Sequence, residues 1–478
     1  MLSPNASKKC SKKQPAAWAI NEFKTAKLPD KRHKKRLVMI ATDFGNQPTA
    51  SIPQACGPGK GSKAAYRFFE NEDIKPQAIR QAHHDATLER VRKHSVVLAI
   101  QDTTALNYSH HPKTKGLGLL GSHSNKTLGF FLHSTLALTT DGEPLGMLHN
   151  EVLFRDPKLR GKAKHRHRKP TAQKESHKWL EGLSVCQALA PQCASTTLVT
   201  VADREGDLYD LFAQALAATA QPRVHVLVRS RHNRMLPGGD LRLWDMVSQL
   251  PAAGRLEVRV GRKGNHPARL ARLEIRFSAV TLQAPTRKAG QGPIELWAIE
   301  AREIGSPQGE SPILWRLVTT LPVTSFAGAV EKVQWYAQRW QIEVIHKVLK
   351  SGCQIEQRQL ETRARLERAL SVDLVVACRL LALARAAREQ PEASVSAWLG
   401  EAEWKALCCI SLDQAEPPSE PPSVRQAVRW IAQLGGFMGR KADGQPGPIT
   451  LWRGFHRLND LTAMWQLCRR SKPKRKCG

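Results

Sequence analysis

Apolar positions in the first 75 residues recur at helical spacing. AAWAINEFKTAKL and RLVMIATDF each place large side chains three or four apart, the stripe of an amphipathic helix. Between them sits a run of basic residues, and GPGKGSK at 57–63 predicts a turn. From about residue 76 helical and strand patterns alternate. QAIRQAHHDATLERVRK predicts a helix, and the β-branched run SVVLAIQ predicts a buried strand that stops at Asp102. GFFLHSTLALTTDGEPLGMLHNEVL predicts two strands joined at Asp141-Gly142. A helix around 174–190, the strand TTLVTVA stopping at Asp203, and the helix LYDLFAQALA follow.

The next segment changes character. RVHVLVRS, LEVRV, ARLEIRFSAVTLQ and ELWAIEARE are all strand-like, and 139 residues between Asp203 and Glu343 exceed a single crossover. A β-rich insertion over about 223–310 is therefore expected, with the core resuming at ILWRLVTTLP. Residues 360–390 read as helix, Pro417, Pro418, Pro421 and Pro422 as a break, and 424–468 as helical segments around an LGGF turn. The expected fold is α/β: a ribonuclease-H-like core over 76–390 with a β-rich insertion, between helical domains at 1–75 and 391–478.

Charge adds a partner to this picture. The chain carries +31 at neutral pH over 478 residues, which points to a polyanion, most simply nucleic acid. Residues 24–36 hold seven Lys/Arg against one Asp, 155–169 eight against one, and 469–476 six. No apolar run of about 18 residues could span a bilayer, and no lipidation motif or secretory h-region is present, so neither a membrane nor secretion is expected. Ten cysteines without a CxxC pair suggest a reducing compartment rather than disulfides or zinc. His165 and His167 lie within a basic run and read as phosphate-facing or solvated. GPGKGSK lacks the Gly-Lys-Ser/Thr ending of a phosphate loop, so no nucleotide cofactor is expected.

Candidate chemistry concentrates in WYAQRWQIEVIHKVLK at 335–350. On a continuous α-helix of about 100° per residue, Tyr336, Arg339, Glu343 and Lys350 share one face within about 60°. With Asp102 and Asp203 at strand ends, three carboxylates become available. Hard oxygen ligands of this kind suit two Mg²⁺ or Mn²⁺ ions and metal-assisted phosphoryl transfer. Glu205 and Asp207 read as supporting or solvent-facing acids.

QDTTALNY around Asp102, ADREGDLYDLF around Asp203 and the Tyr-x₂-Arg-x₃-Glu-x₆-Lys pattern together resemble the DDE cut-and-paste transposases of bacterial insertion sequences, in particular the insertion-sequence-four group. AAYRFFEN, VRSRHNR and LGGFMGRK extend the resemblance over nearly the whole chain. It implies that Asp102, Asp203 and Glu343 are catalytic and hold two metals. It implies DNA contacts from Tyr336, Arg339, Lys347, Lys350, Arg229 and Arg231, and base stacking on Trp315, for which core packing is the competing role. Trp340 could equally be core. It further implies end recognition by Lys31, Arg32, Lys34, Lys35 and Arg36, a C-terminal dimerisation module, and a bacterial cytoplasmic, nucleoid-associated protein. The expected activity is binding of terminal inverted repeats, pairing of two ends in a homodimer, cleavage through a hairpin, and joining of 3′-ends to target DNA. A catalytically silent end-binding protein and a structure-specific endonuclease on the same fold are the alternatives.

Overall fold

The computed structural model describes residues 15–121, 127–155, 174–218, 221–260, 269–440 and 443–471. The basic runs at 156–169 and 472–476, with His165 and His167, lie outside the described residues. The chain forms two compact units, one from residues 1–86 with 348–478, the other from 87–347.

The N-terminal helices are α1 (Ala17–Glu22), α2 (Lys31–Asn46), α3 (Ile52–Cys56), α4 (Lys60–Glu70) and α5 (Pro76–Val91). Two expectations change here. AAWAINEFKTAKL is helical only over Ala17–Glu22, and the basic run lies inside α2 rather than between helices. Asp30 caps α2 by accepting from Arg32 N at 2.6 Å, so the helix starts at Lys31. Gly57 and Gly59 have positive φ, which fits a glycine turn, and α4 begins directly after it.

Among the described residues, the second unit is built on one ten-stranded sheet. Its strands are β1 (Val96–Asn107), β2 (Gly118–Leu119), β3 (Leu128–Thr139), β4 (Pro144–Leu153), β5 (Thr197–Ala202), β6 (His225–Arg229), β7 (Gly254–Val260), β8 (Arg269–Leu282), β9 (Ile294–Ile304) and β10 (Leu314–Thr319). The order is β2-β3-β1-β5-β6-β10-β9-β8-β7, with β4 also on β3. β1, β5 and β6 are parallel neighbours, and the other pairs are antiparallel. The parallel strands are continuous apolar runs, as strands covered on both faces require. The turn between β3 and β4 uses Gly142 at φ +88°, as the Asp-Gly pair predicts. Helices α6 (His177–Leu189) and α7 (Tyr209–Ala217) pack beside this core through Trp179, Leu183, Leu211 and Phe212.

RVHVLVRS is a correction. It forms β6, which pairs with β5 in parallel, so it belongs to the core sheet and not to the insertion. The inserted strands β7–β9 extend that same sheet through β10, with α8 (Leu243–Gln249) packed on β8 and β9. After β10 come α9 (Phe326–Ala337) and α10 (Trp340–Lys347).

Residues 348 onward belong to the first unit. A π-helical turn (Val348–Gly352) leads to α11 (Arg363–Glu389), α12 (Glu401–Ser411), α13 (Val424–Leu434) and α14 (Pro448–Ser471). α11 packs against α2, α4, α13 and α14, so the helix read from sequence as the end of the core is the central element of the helical unit. Residues 417–422 carry no regular structure, as the prolines predict.

Candidate active site

β1 does not stop at Asp102. It runs on to Asn107, paired throughout with β3, while its parallel ladder with β5 ends at Ile100↔Val201. The strands part there because β5 turns away after Ala202. Asp102 lies two residues past the end of that ladder on β1, and Asp203 follows the last residue of β5 directly. One step beyond Ala202↔Val228 sets Asp203 level with Arg229. Neighbouring strands lie about 4.8 Å apart, and residues paired in parallel strands point to the same face. One row at the carboxyl end of the parallel strands thus carries two carboxylates and a guanidinium.

Glu343 reaches this row from α10. The expected single helix over 335–350 is broken. α9 ends at Ala337, where Gln338 N bonds Trp335 O at 3.1 Å and Arg339 N bonds Tyr336 O at 3.0 Å. These i→i−3 bonds tighten the turn, and the π turn after Lys347 widens it, so the uniform 100° rotation fails on both sides of Glu343. Tyr336 is on α9, Arg339 in the junction and Glu343 on α10, whereas Lys350 is half-buried in the π turn of the other unit. Lys347 is exposed, and so is Trp340, at 51%, which removes Trp340 from the core.

Arg339 ties the acids together. It lies 3.3 Å from Asp102 Oδ2 and hydrogen-bonds Glu343. The guanidinium is largely buried, yet the Glu343 hydrogen bond and the charges of Tyr336, Glu343 and Asp102 hold its pKa above the usual value despite that burial. Asp102 is pushed up to about 6, first by burial and then by Asp203 and Glu343, against the Thr103 N–H and Arg339. Asp203 Oδ1 accepts from Glu205 N at 2.8 Å, which holds its side chain at the end of β5.

The donor set suits hard divalent cations: three carboxylates, with no sulfur or imidazole among them. As they stand, no three acidic, imidazole or thiol groups among the described residues converge closely enough to hold an ion. Arg339 engages two of the three acids, Asp102 and Glu343. Glu343 is 58% exposed on its side chain and is free to rotate away from it.

Beside the acids, Trp315 packs edge-on against Tyr336 with ring centroids 5.7 Å apart. Tyr336 is 4% exposed, and burial raises its phenol pKa against the charges of Arg339 and Arg229. Arg229 is partly committed inward, donating to Leu314 O at 3.1 Å. Arg231 is exposed.

A basic site lies in the helical unit. Arg32 and Arg36 on α2 and Lys60, Lys63, Arg67 and Phe68 on α4 line a cleft of about 450 Å³. Of the other predicted end-binding residues, Lys31 and Lys35 are exposed and Lys34 hydrogen-bonds Lys24 O. Lys60, Lys63 and Arg67 are not among the sequence-predicted contacts: the first two lie in the stretch GPGKGSK, which predicts a turn, and Arg67 lies in AAYRFFEN, which carries only the resemblance. Their spacing of three and four was the available signal. Of the two roles expected for Asp207, supporting or solvent-facing, its full burial removes the solvent-facing one.

Three family models match this chain. They are described as transposase DNA-binding at residues 15–74, transposase DDE domain at 146–378, and transposase Tn5 dimerisation domain at 375–471. The chain belongs to the Tn5-like DDE transposases. The transposase is thus a DNA-cleaving and DNA-transferring enzyme whose partners are DNA and a second copy of itself, and its family depends on divalent metal. Asp203 and Glu343 fall inside the DDE match, and Asp102 precedes it. The basic cleft falls inside the DNA-binding match. Among solved structures, a cryo-EM piggyBac transposase synaptic complex with hairpin DNA matches at 8% identity, covering 97% of this chain and 79% of that one, with a TM-score of 0.35. No helix among the described residues is long and apolar enough to cross a membrane.

Proposed function

We propose that this transposase recognises the terminal inverted repeats of a bacterial mobile element, pairs two ends as a homodimer, cleaves them and joins the 3′-ends to target DNA. The observation that carries the reading is the meeting of Asp102 from β1 and Glu343 from α10 on Arg339, with Asp203 at the end of the neighbouring parallel strand β5. Asp102, Asp203 and Glu343 would hold two Mg²⁺ or Mn²⁺ ions. Bound there, the metals would supply an activated water or 3′-hydroxyl and charge neutralisation at the leaving oxygen. The chain's own part is positioning. Arg339, released from Glu343, offers a planar fork to a phosphate, while Lys347, Lys350, Arg229 and Arg231 supply further phosphate contacts. Trp315, half-buried and packed edge-on against the buried Tyr336, is the ring on which an extruded base would stack, which favours the hairpin route for cutting the second strand. Residues 1–75 would bind the ends, 76–390 carry the chemistry, and 391–478 pair the copies. The work would take place in the bacterial cytoplasm at the nucleoid, without a nucleotide cofactor.

The test is an incubation of linear DNA carrying candidate inverted repeats with Mg²⁺ or with EDTA, using wild type and Glu343→Gln. Mg²⁺-dependent excision with joined products, absent in the variant, is expected. Cuts without joined ends would turn the reading towards an endonuclease, and binding without cuts towards a silent end-pairing protein.

End recognition is assigned to the cleft between α2 and α4. Lys and Arg contacts to phosphate release counterions, so affinity falls steeply with salt. Replacing Lys60, Lys63 and Arg67 with Ala should lower end affinity and flatten the salt dependence by a slope of about three, measured by filter binding between low and physiological salt. An unchanged slope would place the DNA elsewhere.

A further inference from the structure

One buried carboxylate joins the two loops that flank the acid row. β5 ends at Ala202, Asp203 caps the 3₁₀ turn Arg204–Gly206, and Asp207 follows. The turn is tight because residue 206 is glycine. A Cβ there would stand 2.5 Å from Ala202 Cβ and 3.3 Å from the Trp179 ring. Gly206 N bonds Asp203 O at 3.1 Å, which swings the next residue inward.

The Asp207 side chain is 0% exposed. Its Oδ2 accepts from Ser230 Oγ at 3.1 Å, Arg231 N at 2.6 Å and His232 N at 3.0 Å. Arg234 Nη1 stands 2.7 Å from Oδ1, and Arg234 Nη2 donates to the Asp207 carbonyl at 3.0 Å. Trp244 Nε1 in turn donates to Ser230 Oγ at 3.1 Å. Everything that converges on this carboxylate comes from the loop after β6 or supports it. Two of the donors are backbone N–H groups, so the bonds set where the loop backbone runs and hence where the exposed Arg231 side chain emerges.

We propose that Asp207 is a positioning residue for strand cleavage. It locks the DNA-facing loop after β6 to the turn that carries Asp203, so that a phosphate held by Arg231 is aligned with the acid row. The proposal rests on the functional reading above for Asp203 and Arg231. Stability alone does not require such a group, since an apolar cluster of similar volume stabilises a core as well as a buried ion pair does. Groups that orient residues at a reaction centre are worth about 10–100-fold in activity, and a misplacement of about 1 Å can cost about 100-fold.

The test uses the full chain with Asp207→Asn, Arg234→Gln, their double variant and Ser230→Ala. Four quantities are read: melting temperature, affinity for a labelled end, amide exchange over 230–234, and the rate of first-strand nicking with Mg²⁺. The expected result is end affinity within about twofold of wild type, faster exchange at Arg231 and His232, and nicking slowed by about 10–100-fold. The double variant should be no slower than the worse single variant, because both act through one contact. Ser230→Ala removes one donor without stranding a charge, so it carries the test if Asp207→Asn does not fold, with the same pattern at smaller amplitude. Nicking at the wild-type rate in a folded variant whose loop amides exchange faster overturns the proposal. So does a nicking loss matched by an equal loss of folded protein or of end binding. A wild-type chain that does not cut at all fails the transposase reading itself, which a defect confined to the variants does not.

Discussion

Asp102→Asn should abolish strand cleavage, a loss of several orders of magnitude in nicking rate, while leaving end binding intact. The amide keeps the shape but removes the charge that a divalent cation needs, and the basic cleft at 15–74 is untouched. The same substitution should stabilise the metal-free protein. Burial and the neighbouring acids raise the Asp102 pKa from 3.8 to about 6, so the folded state is penalised for holding the ionised form. The penalty is absent below about pH 3.8, grows as pH rises towards 6 and is complete above it. At about 1.4 kcal/mol per pKa unit, relief by Asn reaches on the order of 3 kcal/mol at pH 7.5 with chelator present, and it should vanish in acid. Melting curves in EDTA across that range check it. Retained cleavage would remove Asp102 from the metal ligands. Lost end binding would make it structural.

Asp373→Asn should be the most destabilising conservative change in the helical unit. Asp373 on α11 and Arg358 are 1% and 2% exposed and paired through two bonds, at 2.8 and 3.2 Å. Arg358 also donates to Ala50 O at 2.9 Å and lies 4.1 Å from the centre of the Phe44 ring. It thus fastens the segment after α2 to α11. Removing one partner strands a buried charge, which costs about 3–5 kcal/mol, whereas replacing both by apolar side chains is near neutral. Denaturant melts of Asp373→Asn and of the double variant Arg358→Met with Asp373→Leu should show a large loss and its substantial recovery. An equal loss in both would mean that packing rather than charge is decisive. Because α11 packs on α2, α4, α13 and α14, this pair holds helices from both the DNA-binding match and the dimerisation match in one core.

Much of the architecture was legible in the linear pattern. The β-branched runs before Asp102 and Asp203, the Asp141-Gly142 turn and the helical spacing of 76–91 depend on nearest-neighbour chemistry, and they form where expected. Of Tyr336, Arg339, Glu343 and Lys350, which the spacing puts on one helical face, Arg339 and Glu343 are joined by a hydrogen bond, while Lys350 falls in the other unit. The family itself followed from those motifs.

What the tertiary structure alone decided depends on partners remote in sequence. β1 runs past Asp102 because β3 continues to pair with it after β5 has turned away. β6 belongs to the core sheet because its two neighbours come from before and after the insertion. The motif helix breaks at Arg339, whose guanidinium bonds Asp102 on β1, 237 residues away in the chain. The π turn places Lys350 in the other unit. Asp207 is buried only because the loop after β6 folds over it. Local sequence sets propensities and periods, but burial, register and charge pairing are properties of surfaces that exist only once the chain has folded.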